Sequence, residues 1–82
     1  MGAVEPEDLR KLVARNVRAA ARRKRVPLTS LADFSGTSRS QLFAVLALTT
    51  SPTVDWLAKV AAALEVAPWE LLAPRTKRAE TT

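Results

Sequence analysis

LADFSGTSRSQL, residues 31–42, carries the clearest structural signal in this chain of 82 residues. It contains Gly36, the only glycine beyond position 2, between two short segments of helical periodicity. Glycine adopts the left-handed backbone conformation at almost no cost, so it can turn one helix sharply into the next. Ser38 is the expected N-cap of the second helix, because its hydroxyl can accept a hydrogen bond from a free N–H group of the first turn. The stretch therefore predicts a helix, a turn and a second helix.

Apolar periodicity on both sides of this stretch predicts three more helices, and hence an all-α fold. Pro6 marks the start of the first helix, Pro27 its end, Thr53 the N-cap of the fourth and Pro68 the start of the fifth. The five predicted helices cover about residues 5–25, 28–35, 38–48, 54–64 and 68–72. We expect one domain, residues 1–74, followed by a polar and disordered tail, residues 75–82.

The apolar side chains of these helices define a predicted core. Its main members are Leu9, Leu12, Val13, Val17, Ala20, Leu31, Ala32, Phe34, Leu42, Val45, Leu46, Val54, Leu57, Val60, Ala61 and Leu64. Trp56 lies off the stripe of the fourth helix, which leaves it either half buried or exposed for a partner. Trp56 and Trp69 together predict either a dimer surface, because tryptophan is enriched at interfaces, or the covered edges of a small core.

The residue composition argues against an enzyme. The chain has no cysteine and no histidine, so disulfides and thiolate metal sites are impossible, and catalysis would rest on carboxylates, lysines or hydroxyls. The acidic residues have cap or surface explanations, and we find no phosphate-binding glycine loop and no metal-ligand spacing. We expect no catalytic site, no cofactor, no metal and no small-molecule substrate. Without a long apolar run or a secretion signal, we also expect a cytoplasmic protein that has no membrane partner.

Positive charge is concentrated in the first half of the chain. Residues 1–50 contain nine Lys or Arg and four Asp or Glu, whereas residues 51–82 contain four of each kind. This pattern is typical of a nucleic-acid binder, although a solvated basic surface would produce it equally well. Cations in the last turn stabilise a helix end whatever the function, but the four consecutive basic residues 22–25 exceed that need.

The chain resembles the phage repressor and Cro (Xre-type) family over about residues 9–72. The matching residues are Val17, Arg18, Leu31, Ala32, Gly36, Ser38, Leu42, Pro52, Leu57, Ala61, Leu64, Glu65, Val66, Leu71 and Leu72. The resemblance implies a compact, five-helix, lambda-repressor-like domain with a helix-turn-helix at helices 2 and 3. It also implies a sequence-specific transcriptional regulator that binds double-stranded DNA as a homodimer, and we expect a repressor.

In that family the second helix of the motif lies in the major groove, and its first residues contact bases. The corresponding base-contact positions are Ser38, Arg39, Ser40, Gln41, Phe43 and Ala44. Arginine can donate two hydrogen bonds to guanine and glutamine can pair similarly with adenine, while apolar side chains can contact a thymine methyl group. The phosphate-contact positions are Arg18, Arg22, Arg23, Thr29, Thr49, Thr50 and Ser51.

Several positions depart from the family pattern. Leu28 replaces a common glutamine, Ala21 a common arginine and Leu46 a common glutamate. Leu48 stands where a glycine usually ends the third helix, so we expect that helix to run longer or to end in a different turn. These departures keep a second hypothesis open: a protein-binding module of the same fold, for a toxin, a polymerase subunit or another regulator. RNA is a third candidate partner, although the chain has no aromatic stacking platform.

Overall fold

A computed structural model describes residues 4–74, which contain four α-helices, one 3-10 helix and no β-strand. The α-helices are α1 (Pro6–Lys24), α2 (Leu28–Ser35), α3 (Arg39–Leu46) and α4 (Val54–Leu64). The all-α prediction is confirmed, and the bounds of α2 and α4 agree with the sequence expectation. The predicted fifth helix is a 3-10 helix, Pro68–Leu72. The predicted tail, residues 75–82, lies outside the described part of the chain.

The turn between α2 and α3 has the conformation that its sequence predicts. Gly36 has a φ of 75°, and the N–H of Thr37 donates to the carbonyl of Ala32 at 3.2 Å. A Cβ added to Gly36 would meet no atom within 4 Å, so the glycine is required by its backbone conformation and not by lack of space. Ser38 caps α3 as predicted, because its Oγ accepts a hydrogen bond from the N–H of Gln41 at 3.0 Å.

The core lies between α1 and the other four elements. α1 packs against the 3-10 helix and α3, and α2 packs against α4. The buried apolar side chains are Val13, Ala14, Val17, Ala20, Ala21, Leu31, Ala32, Leu42, Val45, Leu46, Trp56, Leu57, Val60, Ala61, Leu64 and Leu71. Towards the C-terminal end of α1 the buried face consists of the small residues Ala20 and Ala21.

Three predicted core residues are on the surface instead. Leu9 is 40% exposed near the start of α1. Phe34 is 69% exposed, because Leu31, Ala32 and Ser35 already form the inward face of the two-turn helix α2. Val54 is 80% exposed at the first position of α4, where no preceding helical turn covers it. All three predictions were therefore wrong.

The position of Trp56 corrects another prediction. The buried stripe of α4 is rotated towards Trp56, which is only 2% exposed and takes the core place expected for Val54. Trp56 therefore cannot belong to an exposed dimer surface. Its indole N–H has no hydrogen-bond partner within residues 4–74, although burial of such a donor is unfavourable.

The C-terminal end of α3 shows how the chain manages without the expected glycine. α3 ends at Leu46 rather than near Leu48, and Leu48 itself has a φ of 66°. The N–H of Thr49 donates to the carbonyl of Ala44 at 2.9 Å, and that of Leu48 to the carbonyl of Val45 at 3.1 Å. A left-handed conformation at a leucine costs roughly 1 to 2 kcal/mol, so this turn is strained where the Gly36 turn is not.

Asn16 joins the two ends of the described chain. Its side chain is buried on α1, and its Nδ2 donates to the carbonyl oxygens of Leu71 at 3.0 Å and Ala73 at 2.8 Å. These carbonyls lie at the C-terminal end of the 3-10 helix, where no further backbone N–H groups are available. The amide therefore fixes the 3-10 helix against α1.

Candidate nucleic-acid interface

The first turn of α3 is polar and exposed. Arg39, Ser40 and Gln41 all face solvent, whereas Leu42 and Val45 are almost completely buried. This division follows from the helical period, which places residues 42, 45 and 46 on the inward face and leaves the first turn outside the core. The polar start of α3 is thus held rigidly by its own apolar second half.

The other predicted base-contact residues differ in their exposure. Phe43 is 42% exposed, and Ala44 is partly buried. Ser38 is exposed, and its Oγ is the acceptor of the capping hydrogen bond, which leaves the hydroxyl proton available to a base or a phosphate. All six predicted residues are therefore on or beside one short helix, and five of them are exposed.

Arg39 has an acidic neighbour that the sequence pattern does not predict. Its Nη2 lies 3.1 Å from Oδ2 of Asp33, which is located in the last turn of α2. The pair crosses the Gly36 turn, six residues apart, and both side chains are more than half exposed. The sequence indicates only a surface position for Asp33, because a partner across a turn is not visible in helical spacing.

The predicted phosphate contacts on α1 lie beside the start of α2. Arg18 and Arg22 line a shallow depression of about 230 Å³, whose other walls are Ala21, Val26, Pro27 and Leu28. Within residues 4–74, neither of these arginines nor Arg23 has an acidic side chain within ion-pair distance. The positive charge of this edge is thus not neutralised by the described protein.

The first turn of α2 adds backbone donors to this edge. No side chain caps the N-terminus of α2, and its first turn contains no acidic residue, in contrast to α4, which is capped by Thr53. Thr29 is exposed in this turn. Free N–H groups at a helix N-terminus favour a negative partner.

The segment between α3 and α4 contains the remaining predicted phosphate contacts. Thr49, Thr50 and Ser51 are all exposed. The Thr49 hydroxyl donates to the carbonyl of Ala44 at 3.1 Å, and the Ser51 hydroxyl accepts from Nη1 of Arg10 at 3.4 Å. Arg10 is a further basic residue at this segment, and no local pattern could have assigned it, because it is 41 residues away in the sequence.

An apolar groove lies next to the same segment. It has a volume of about 310 Å³. The groove is lined by Pro6, Leu9, Arg10, Val13, Ser51, Pro52, Val54, Leu57 and Leu72. Trp69, the second tryptophan of the predicted dimer surface, is 73% exposed on the 3-10 helix. Since Trp56 is buried, the two tryptophans do not form one surface.

Residues 4–74 contain no group of three or more Asp or Glu side chains that could hold a metal ion. In the same residues, no helix is long and apolar enough to cross a membrane.

Comparison with known proteins gives one informative similarity. The chain is similar to the crystal structure of NHTF, a hypothetical transcription factor from Neisseria, with a TM-score of 0.83 and 29% sequence identity. The alignment covers 100% of this chain and 94% of the Neisseria chain. No protein-family model matches the sequence, and no curated protein matches it significantly. Residues 4–74 thus have an all-helical fold similar to that of a hypothetical transcription factor.

Proposed function

We propose that this protein is a sequence-specific DNA-binding transcriptional regulator that inserts α3 into the major groove. The observation that carries the proposal is the exposed first turn of α3, where Arg39, Ser40 and Gln41 project from a helix that is otherwise held in the core. Arginine and glutamine are the side chains that pair bidentately with guanine and adenine. The similarity to a hypothetical transcription factor supports the same function and argues against an enzyme.

The proposed phosphate contacts lie on both sides of the base-contacting turn of α3. Arg18, Arg22, Arg23 and Thr29 would contact one strand of the backbone, because they lie at the end of α1 and the uncapped start of α2. Thr49, Thr50 and Ser51 would contact the backbone beyond the other end of α3. Backbone contacts of this kind fix the orientation of a recognition helix and carry no sequence information themselves.

The finer parts of the proposal concern assembly and regulation. We propose that the protein acts as a homodimer on a two-fold operator, because an 8-residue recognition helix contacts few base pairs and a second copy doubles the site. The exposed Trp69 and the apolar groove offer apolar surface for that contact. Repression follows if the operator overlaps a promoter, and the cytoplasm is the proposed location.

The first test is binding to a random-sequence DNA duplex, measured by fluorescence anisotropy at several salt concentrations. We expect a Kd in the micromolar range that rises steeply with salt, since each phosphate contact releases counterions. The absence of binding at low salt and about 100 micromolar protein, the weak end of non-specific affinity, would refute the proposal.

A matched pair of variants tests the phosphate edge in the same assay. Arg22→Ala should weaken binding to all sequences and reduce the salt slope by about one unit. Arg15→Ala removes the same charge from α1, but Arg15 lies beside Asp8 and Lys11 and not beside the start of α2, so it should change the slope less. Equal effects of the two variants would mean that only net charge matters.

The apolar groove favours a second candidate function, a protein-binding module. Leu9, Val54 and Leu72 are partly or largely exposed around it, and a partner could cover them. This candidate predicts that the wild-type protein binds no DNA and that Val54→Asp abolishes binding of the protein partner. The DNA proposal and the module are separated by the anisotropy measurement described above.

A further inference from the structure

The ion pair between Asp33 and Arg39 joins the two helices on either side of the Gly36 turn. Oδ2 of Asp33, in α2, accepts a hydrogen bond from Nη2 of Arg39, the first residue of α3, at 3.1 Å. The two side chains are 59% and 60% exposed, respectively. The pair therefore lies on the surface, at the turn of α3 that we propose contacts bases.

Neither charge is explained by the stability of its own helix. Asp33 lies in the last turn of α2, where the helix dipole disfavours an anion, and Arg39 lies at the first position of α3, where it disfavours a cation. The first turn of α3 contains no acidic residue of its own. Asp33 thus supplies, from the neighbouring helix, the negative charge that Arg39 lacks locally.

The geometry leaves Arg39 able to recognise a base. A guanidinium group has five N–H donors in one plane, and the bond to Asp33 uses one of the two on Nη2. The remaining donors still offer two adjacent N–H groups, which is what O6 and N7 of a guanine require. An arginine held at one edge also loses less rotamer freedom when its other edge binds.

We propose that Asp33 is a positioning residue, which holds the guanidinium of Arg39 for a guanine and away from the phosphates. The inference rests on the proposed function and deepens it. The DNA backbone repels the carboxylate of Asp33 whatever the sequence, whereas the orienting effect on Arg39 is gained only where a guanine is present. Asp33 therefore raises the ratio of specific to non-specific affinity rather than affinity in general.

The test starts from the wild-type protein and a random DNA pool, from which the preferred site is selected. Wild type, Asp33→Ala, Arg39→Ala and the double variant are then measured on that site and on each of its single-base changes. Asp33→Ala should lower the preference by about two- to fivefold, the range of exposed ion pairs, at the base pair that Arg39→Ala also affects. Its affinity for random DNA should be equal to or higher than that of wild type.

The double variant and two controls isolate the positioning effect. In the Arg39→Ala background, loss of Asp33 should not change the preference at that base pair, since the interaction is already absent. Asp33→Asn keeps an acceptor oxygen and should retain part of the preference. Asp8→Ala makes the same charge change on the exposed first turn of α1 and should leave the preference unchanged.

The outcomes distinguish this inference from the proposed function. A wild-type protein that binds no DNA refutes both. If wild type selects a site, an unchanged preference in Asp33→Ala overturns the role of Asp33 alone. A loss that persists in the Arg39→Ala background, or that occurs at a different base pair, also overturns it, because Asp33 would then contact a base directly, as carboxylates do with cytosine.

Discussion

The turns before and after α3 both require a left-handed backbone conformation, but one has a glycine at that position and the other a leucine. Before the helix, Gly36 has a φ of 75°, and after it Leu48 has a φ of 66°. Glycine takes this conformation freely, whereas leucine is strained in it. At the first end the residue type determines the turn, and at the second end the packing of the helix does, because Val45 and Leu46 are buried directly before it.

This difference coincides with a difference in proposed role. The first end carries the capping hydroxyl of Ser38 and the exposed side chains of Arg39 and Gln41, and a base contact requires that they be placed accurately. The second end carries a backbone turn with partly exposed Leu48, where strain changes stability without changing recognition. We therefore expect variants at the first end to affect folding, DNA recognition or both, and variants at Leu48 to affect folding without changing the base preference.

The largest expected effect is that of Gly36→Val. A β-branched residue at this φ is strongly disfavoured, and we expect a loss of about 2 to 3 kcal/mol in the free energy of unfolding. Urea denaturation followed by circular dichroism measures it. Gly36→Asn is the matched control, because asparagine tolerates the left-handed region and the site has space for a Cβ. Equal losses for the two variants would mean that the backbone conformation is not the reason for the glycine.

Arg39→Ala is the corresponding change at the recognition surface. It should lower affinity for the preferred site by about 1 to 3 kcal/mol and relax the preference at one base pair. Because Arg39 is exposed, the thermal unfolding midpoint of the variant should remain close to that of the wild-type protein. Anisotropy titrations on the selected site and its single-base changes provide the measurement. An unaltered binding profile would remove Arg39 from the base-contact set.

Ser38→Ala should have a smaller effect, a decrease in the free energy of unfolding. It removes the hydroxyl that accepts from the N–H of Gln41, and loss of an N-cap costs about 1 kcal/mol. Ser38→Asp is the control, since aspartate caps equally well, although its charge should weaken DNA binding. If the Ser38→Ala variant is as stable as the wild-type protein, the capping hydrogen bond contributes nothing measurable to stability. Packing would then fix the start of α3.

The parts of the fold that the sequence predicted are those with local causes. Gly36, Ser38 and Thr53 act within one helical turn, and they set the C-terminal end of α2 and the starts of α3 and α4. The residue types also indicated an exposed polar start of α3. The roles of these residues towards bases and phosphates remain predictions.

The parts that the sequence did not predict depend on distant contacts. Whether Val54 or Trp56 faces the core depends on how α4 rotates against α2, which no property of α4 alone determines. The bonds from Asn16 to the 3-10 helix and from Arg10 to Ser51 join residues more than 40 positions apart. The ion pair of Asp33 could not be predicted for a different reason, since its partner Arg39 lies across a turn and not at helical spacing.

Leu48→Gly has the smallest expected effect, and it should increase the free energy of unfolding where the variants above decrease it or leave it unchanged. Relief of the left-handed strain stabilises the protein, while the greater freedom of glycine in the unfolded state and the loss of a partly buried side chain oppose it. We expect a net gain of about 0.5 kcal/mol in the free energy of unfolding. The site preference should not change, because Leu48 contacts no base in the proposed complex.

Ala47→Gly is the matched control for this last prediction, because Ala47 has an ordinary φ of −87°. Glycine relieves no strain there, so urea denaturation should show a loss of about 0.5 to 1 kcal/mol. The opposite signs at adjacent positions would attribute the effect to the backbone conformation and not to glycine in general. If both variants are destabilised alike, packing of the Leu48 side chain outweighs its strain, and the two ends of α3 are equally well adapted to their residues.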